Sequence, residues 1–231
     1  CGASALALGW REGSIIERAG LFFVPKKDSS LRLIFDTRRS NAHFREPPYT
    51  LLASGEALAN LEVDASGGIA VASADVECCF YQYELPPWAR VFFGLPAIQA
   101  RFLQPEACRL LGITDMSEMV HFVARVVPMG WSWAVHLIQE AHANILGGIS
   151  PESPWIADKV PTPALGTQCS AAKMLYIDNM AVFTSASDDP VHEGERRVAA
   201  LDERGIKASF VSDDEDLHTL LGYVLHKPSA T

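Results

Sequence analysis

Short apolar runs separated by polar breaks predict a mixed chain of strands and helices. Phe22-Phe23-Val24-Pro25 and Leu31 with Leu33-Ile34-Phe35 are β-prone, and the polar Lys26-Lys27-Asp28-Ser29-Ser30 between them has the spacing of a hairpin with lysines in its loop. After the break at Pro47-Pro48, apolar residues at 51, 52, 57, 58 and 61 suit one helix, ended by Gly67-Gly68. Ile69 to Ala74 is a small-residue apolar run, predicted to be a buried strand leading straight into Asp75. Beyond Pro86-Pro87, Val91 to Leu95 and His121 to Val127 read as strands, and Pro128-Met129-Gly130 interrupts sharply. Apolar positions 133, 134, 137, 138, 141 and 145 then predict a helix from Ser132 to Leu146. The Pro-, Gly- and Ser-rich stretch from Gly147 to Ser170 reads as a long surface insertion. Met174 to Ile177 and Met180 to Thr184 flank Asp178-Asn179, two residues that tolerate positive φ, and so predict a tight hairpin with Asp178 at its tip. A charged amphipathic helix, Asp189 to Arg204, closes at Gly205; the acidic run Asp213 to Asp216 and a last strand, Leu220 to Leu225, follow.

Composition narrows the class. With 231 residues, 48% hydrophobic and 20% charged, the chain has globular composition and can bury one sizeable core or two sharing an interface. No internal repeat is present, and no apolar stretch is long enough to span a membrane. The start at Cys1 rather than Met, without the basic flank of a secretory signal, reads as a fragment of a longer product. Nineteen Lys and Arg against 28 Asp and Glu give a net charge of -9, which by itself argues against a nucleic-acid partner. Its distribution softens that exclusion, because basic residues bunch at Lys26-Lys27 and from Arg32 to Arg45. The five cysteines include no CxxC pair, so structural zinc is not expected; Cys78 and Cys79 read as small buried hydrophobes of a reduced compartment. The spacing of His136 and His142 does not fit a zinc-protease helix, and neither a GxxxxGK loop nor a GxSxG elbow occurs.

Two carboxylates stand out, Asp75 after a buried strand and Asp178 at a hairpin tip. If the strands are neighbours, the oxygens converge into a site for Mg²⁺, and two ions about 4 Å apart would suit in-line phosphoryl transfer. Strand-end caps or salt-bridge partners are the alternative reading.

The order of motifs is more specific than any one of them. Lys26-Lys27-Asp28, Leu31 to Asn41, Ala74-Asp75-Val76-Glu77-Cys78-Cys79-Phe80-Tyr81, Pro128-Met129-Gly130-Trp131-Ser132, Tyr176-Ile177-Asp178-Asn179 and Leu221-Gly222-Tyr223 together resemble the reverse transcriptases of retroviruses and retrotransposons, over roughly residues 20 to 228. The resemblance implies an α+β right-hand polymerase with an antiparallel palm sheet backed by helices. Fingers would be 1–52 and 86–127, palm 53–85 and 128–231, with the insertion near 147–170; thumb and RNase H would lie beyond Thr231. It further implies an RNA-directed DNA polymerase that adds deoxynucleotides to a primer 3′-OH on an RNA or DNA template, with Mg²⁺ or Mn²⁺, in cytoplasm or nucleus.

Carried over by position, Asp75 and Asp178 would be the metal-binding aspartates, with the Val76 carbonyl as a further ligand, and Asn179 would complete the catalytic set. Lys26 and Arg32 would clamp the triphosphate, Phe80 would gate the ribose 2′-OH, and Met129 and Gly130 would line the nucleotide site. Asp36, Arg38, Asn41, Trp131, Tyr176, Leu221, Gly222 and Tyr223 would contact template or primer. Bland readings stand beside these: solvated lysines, a core aromatic at Phe80 or Trp131, a local capping and salt-bridge network at Asp36, Arg38 and Asn41, and an ordinary edge strand at Leu221 to Tyr223.

Three departures matter. Asn179 stands where the family has a second aspartate, removing one charge from the site while keeping an amide oxygen. Met129 replaces a glutamine of the retroviral enzymes. The lysine expected downstream of Gly205 is missing unless Lys207 serves, and loss of general-acid help slows a reaction by typically about 10²–10⁴-fold. These motivate a rival reading, a degenerate polymerase-fold domain that binds nucleic acid or a polyprotein partner without catalysis; an unrelated small-molecule enzyme is a third reading.

Overall fold

The computed structural model describes residues 7–10, 15–25, 29–63, 68–185, 189–211, 217–220 and 223–226. Strand β1 (Ala7–Trp10) precedes the hairpin β2 (Gly20–Pro25) and β3 (Leu31–Asp36) and the single turn α1 (Arg38–Asn41). Next come α2 (Gly55–Ala59), β4 (Glu62–Val63) and the long strand β5 (Ile69–Val76). Then follow α3 (Pro87–Arg90), β6 (Ile98–Gln99), α4 (Pro105–Leu111), β7 (Met119–Ala124) and the 14-residue α5 (Ala134–Gly147). The chain continues through β8 (Trp155–Ile156), β9 (Ala164–Leu165), β10 (Ala171–Tyr176) and β11 (Asn179–Ser185). It closes with α6 (Val191–Asp202), β12 (Ala208–Val211), β13 (Leu217–Leu220) and β14 (Tyr223–His226). This is a mixed α+β chain, and among the described residues no helix is long and apolar enough to cross a membrane.

Two compact units share the chain: Cys1–Pro47 with Phe80–Ala134, and Pro48–Cys79 with Val135–Thr231. The sequence places the corresponding breaks after residues 52, 85 and 127.

In the first unit β1, β7 and β6 form one sheet and β2–β3 a separate hairpin, with Val24 opposite Arg32. Ala100, Cys108, Ile113 and Val120 make one core cluster. Val91 to Leu95, expected as a strand, is not one. Pro87 sits at the start of α3, where its fixed φ suits a helix and its missing N–H costs nothing, so the backbone turns and buries Phe93 instead of extending. Gly94 makes isolated bridges to Arg18 and Val123.

The second unit is built on a five-stranded sheet in the order β12-β5-β11-β10-β8. Its first four strands are antiparallel, but β8 joins β10 in parallel, so the sheet is mixed rather than purely antiparallel as expected. The supposed surface insertion contributes this edge: Ile156 of β8 and Leu165 of β9 are buried beside Val71, Met174 and Phe183 in the main core cluster. The two-residue β8 holds because β10 supplies its partner, with Lys173 opposite Trp155, while the two-residue strands β4 and β9 pair with each other, Glu62 opposite Ala164. The expected helix from Leu51 to Leu61 shrinks to five residues. Ser54 caps it by accepting from the Ala57 N–H, while the Leu51 and Leu52 carbonyls are taken by Gln139 and by the Asp158 N–H. Helix α6 lies close on the sheet, since a Cβ at Gly194 would stand 2.6 Å from the Phe210 ring and 3.3 Å from the Ala72 Cβ.

Candidate active site

Sheet register assembles the central residues. Asp75 on β5 lies opposite Asn179 on β11 and Ser209 on β12, and Asn179 lies opposite Tyr176 on β10. Directly opposed residues share a face, so Tyr176, Asn179, Asp75 and Ser209 form one row across the sheet end. Apolar runs place that row: Val71, Ala72, Ala74 and Val76 are buried, whereas Asp75 itself is exposed rather than buried at the strand end.

Because Tyr176 pairs with Asn179, the hairpin loop is Ile177-Asp178, one residue earlier than the Asp-Asn pair suggests. Positive φ therefore falls on Ile177, at 57°, an uncommon conformation for a β-branched residue. The Val76 N–H donates to the Asp178 carbonyl at 2.8 Å, tying the turn to the end of β5. The Asn179 amide donates to the Asp178 carboxylate at 3.2 Å.

Although Asp75 is exposed, partial desolvation of its carboxyl, then the charges of Asp178 and Glu77, push its pKa up, and burial followed by both aspartates drives the Cys79 thiol up to about 12. Glu77 is engaged by the Ser209 hydroxyl, which donates to it at 2.6 Å. Cys79 is buried and free as expected, but Cys78 is exposed and disulfide-bonded, so it is not the buried reduced thiol expected from sequence.

Among the described residues no group of three or more His, Cys, Asp or Glu is placed to hold a metal. Asp75, Asp178 and Asn179 nevertheless offer two carboxylates and an amide oxygen, donors of the kind a hard cation takes. Mg²⁺ characteristically takes one or two carboxylates and leaves its other positions to water and substrate phosphate.

Sequence reading missed two residues of α5. The Gln139 carbonyl accepts from the Ile177 N–H at 2.8 Å, its amide donates to the Leu51 and Leu175 carbonyls, and His142 Nδ1 donates to the Ile177 carbonyl at 2.7 Å. Both side chains are buried, and burial lowers the His142 pKa. The available signal was a polar pair three residues apart on an otherwise apolar helix face.

In the first unit, Asp36 grips Arg38 through two side-chain bonds of 2.8 and 2.5 Å, which hold the Asp36 carboxyl down at about 2. The Asn41 amide donates to the Gly130 carbonyl and its oxygen accepts from the Ser132 N–H, both at 3.0 Å, so the side chain braces the turn at Gly130. Gly130 has φ 116°, and a Cβ there would meet the Phe35 carbonyl at 3.0 Å. Trp131 is a core residue, 5% exposed and packed edge-on against Phe44 and Phe93. Arg32 is exposed on β3, Met129 is half-buried, and Phe80 is half-buried in a 3₁₀ turn spanning Cys79–Gln82. Lys26, Leu221 and Gly222 lie outside the described residues; Tyr223 opens β14 opposite Leu220.

No protein-family model matches the chain, and no curated protein matches it. Among solved structures, it is similar to a foamy viral protease-reverse transcriptase in complex with double-stranded DNA, with a TM-score of 0.62 at 14% sequence identity. The match covers 96% of this chain and 31% of that one. The chain therefore has a reverse-transcriptase-like fold.

Proposed function

We propose that this chain is the fingers and palm of a retroelement reverse transcriptase, extending a DNA primer on an RNA or DNA template with deoxynucleotides. The observation supporting it is the register that sets the β10–β11 turn, with Asp178, beside Asp75 within this fold. In this reading Asp75 and Asp178 hold Mg²⁺ or Mn²⁺ with the Val76 carbonyl. The bound cation would supply charge neutralisation for attack of a primer 3′-OH on an α-phosphate. Asp75 and Asp178 contribute the negative charge that retains it, and Asn179 steadies Asp178 through its amide without adding a third charge. Roles for Lys26, Arg32, Phe80, Met129 and Gly130 at the nucleotide, and for Asp36, Arg38, Tyr176, Leu221, Gly222 and Tyr223 at template or primer, rest on the sequence resemblance alone. The matched structure's bound duplex supports a nucleic-acid partner here.

Asn179, which stands where a second hairpin carboxylate would add charge to the site, favours a second reading in which the fold binds nucleic acid without catalysis. Primer extension on an RNA template, in Mg²⁺ and in Mn²⁺, separates the two. Extension by the native chain that disappears in Asp75→Ala supports the polymerase. Extension only after Asn179→Asp means one substitution has silenced an intact site. Silence in every variant supports the non-catalytic reading.

A further inference from the structure

We propose that Gln139 and His142 are positioning residues: a clamp on the backbone of Ile177 that holds it in the left-handed region and thereby sets where Asp178 points. The catalytic consequence rests on the proposed cation-binding role of Asp75 and Asp178; the structural consequence does not.

Glycine, asparagine and aspartate tolerate positive φ, yet the register assigns it to isoleucine, whose branched Cβ opposes it. Such a conformation persists only where its surroundings over-determine it. Here the N–H and the C=O of one residue are gripped by two side chains from adjacent turns of a single helix, at 2.8 Å by Gln139 and 2.7 Å by His142. Gln139 is itself fixed, donating to the Leu51 carbonyl at 3.0 Å and the Leu175 carbonyl at 3.2 Å. Next in the chain, Asp178 is held by the Val76 N–H at its carbonyl and by Asn179 at its carboxylate. The grip thus passes from α5 through Ile177 to the proposed metal-binding carboxylate.

The test measures amide hydrogen exchange and primer extension on the full chain for Gln139→Leu, His142→Leu, and Gln139→Leu combined with Ile177→Gly. Each single variant is expected to speed exchange at Ile177 and Asp178 by about tenfold or more while protection in α6 and mid-β11 holds. It should also lower kcat by about tenfold with the KM for deoxynucleotide little changed. Ile177→Gly, which adopts the same φ unaided, should restore most of the kcat lost in Gln139→Leu; a residue that merely fills the core would not be rescued this way. Unchanged exchange at Ile177 in both single variants, or no rescue in an active background, would overturn the clamp. If the native chain extends no primer, the polymerase reading falls in that assay, and exchange at Ile177 still decides the clamp.

Discussion

Two tight turns, one in each unit, are braced by a side-chain amide, and they meet opposite demands. In the first, Asn41 brackets Gly130, whose φ of 116° and lack of room for a Cβ are met by glycine itself. In the second, Gln139 and His142 bracket Ile177, whose φ of 57° its own side chain disfavours. One turn is specified by the residue that occupies it, and the other is imposed by its neighbours. Strain held by surroundings concentrates at sites where geometry serves function, and the strained turn is the one that carries Asp178.

The largest contrast should come from exchanging the residue types. Gly130→Ala is expected to destabilise the protein by about 3 kcal/mol, because the new Cβ meets the Phe35 carbonyl and the Thr37 hydroxyl in a disfavoured conformation. Ile177→Gly should stay within about 1 kcal/mol of the native chain, since relief at positive φ offsets the added freedom of the unfolded state. Urea denaturation measures both, and equal losses would break the contrast. Asn41→Ala should cost about 2 kcal/mol by the same measurement, for two backbone groups deprived of partners. The smallest effect concerns Asp36, beside the first turn. Its Arg38 partner lowers the carboxyl to about 2, so the pair's contribution is present above the ordinary carboxylate range and is lost as pH falls from about 4 toward 2. An NMR titration of Asp36 follows it directly, and Arg38→Ala should return the midpoint to the ordinary range.

Legibility in the sequence follows the same division. Local pattern sufficed for β5, β10, β11, α5 and α6, where apolar runs or helical spacing extend over several residues, and it led to Asp75 and Asp178. It also marked Gly130, because the demand on that position is met within the residue. It placed the hairpin tip one residue late, since the loop is set by Tyr176 pairing with Asn179 and not by which residues tolerate positive φ. Strand β8 was hidden because two residues become a strand only when β10 offers an edge. Asn41, Gln139 and His142 act on backbone groups 89, 38 and 35 residues away, which no local pattern reports. Trp131 shows the converse: a motif position whose aromatic ring is held by Phe44 and Phe93 in the core.

The proposed polymerase function requires the end of β5 and the strained β10–β11 turn to hold a divalent cation together. The most direct measurement is Mn²⁺ binding to the full chain followed by electron paramagnetic resonance, in the native protein and in Asp75→Ala and Asp178→Ala. Saturable binding that each substitution weakens by at least about tenfold is expected, since removing either carboxylate leaves too few hard ligands. Binding that is absent, or that survives both substitutions unchanged, would contradict it.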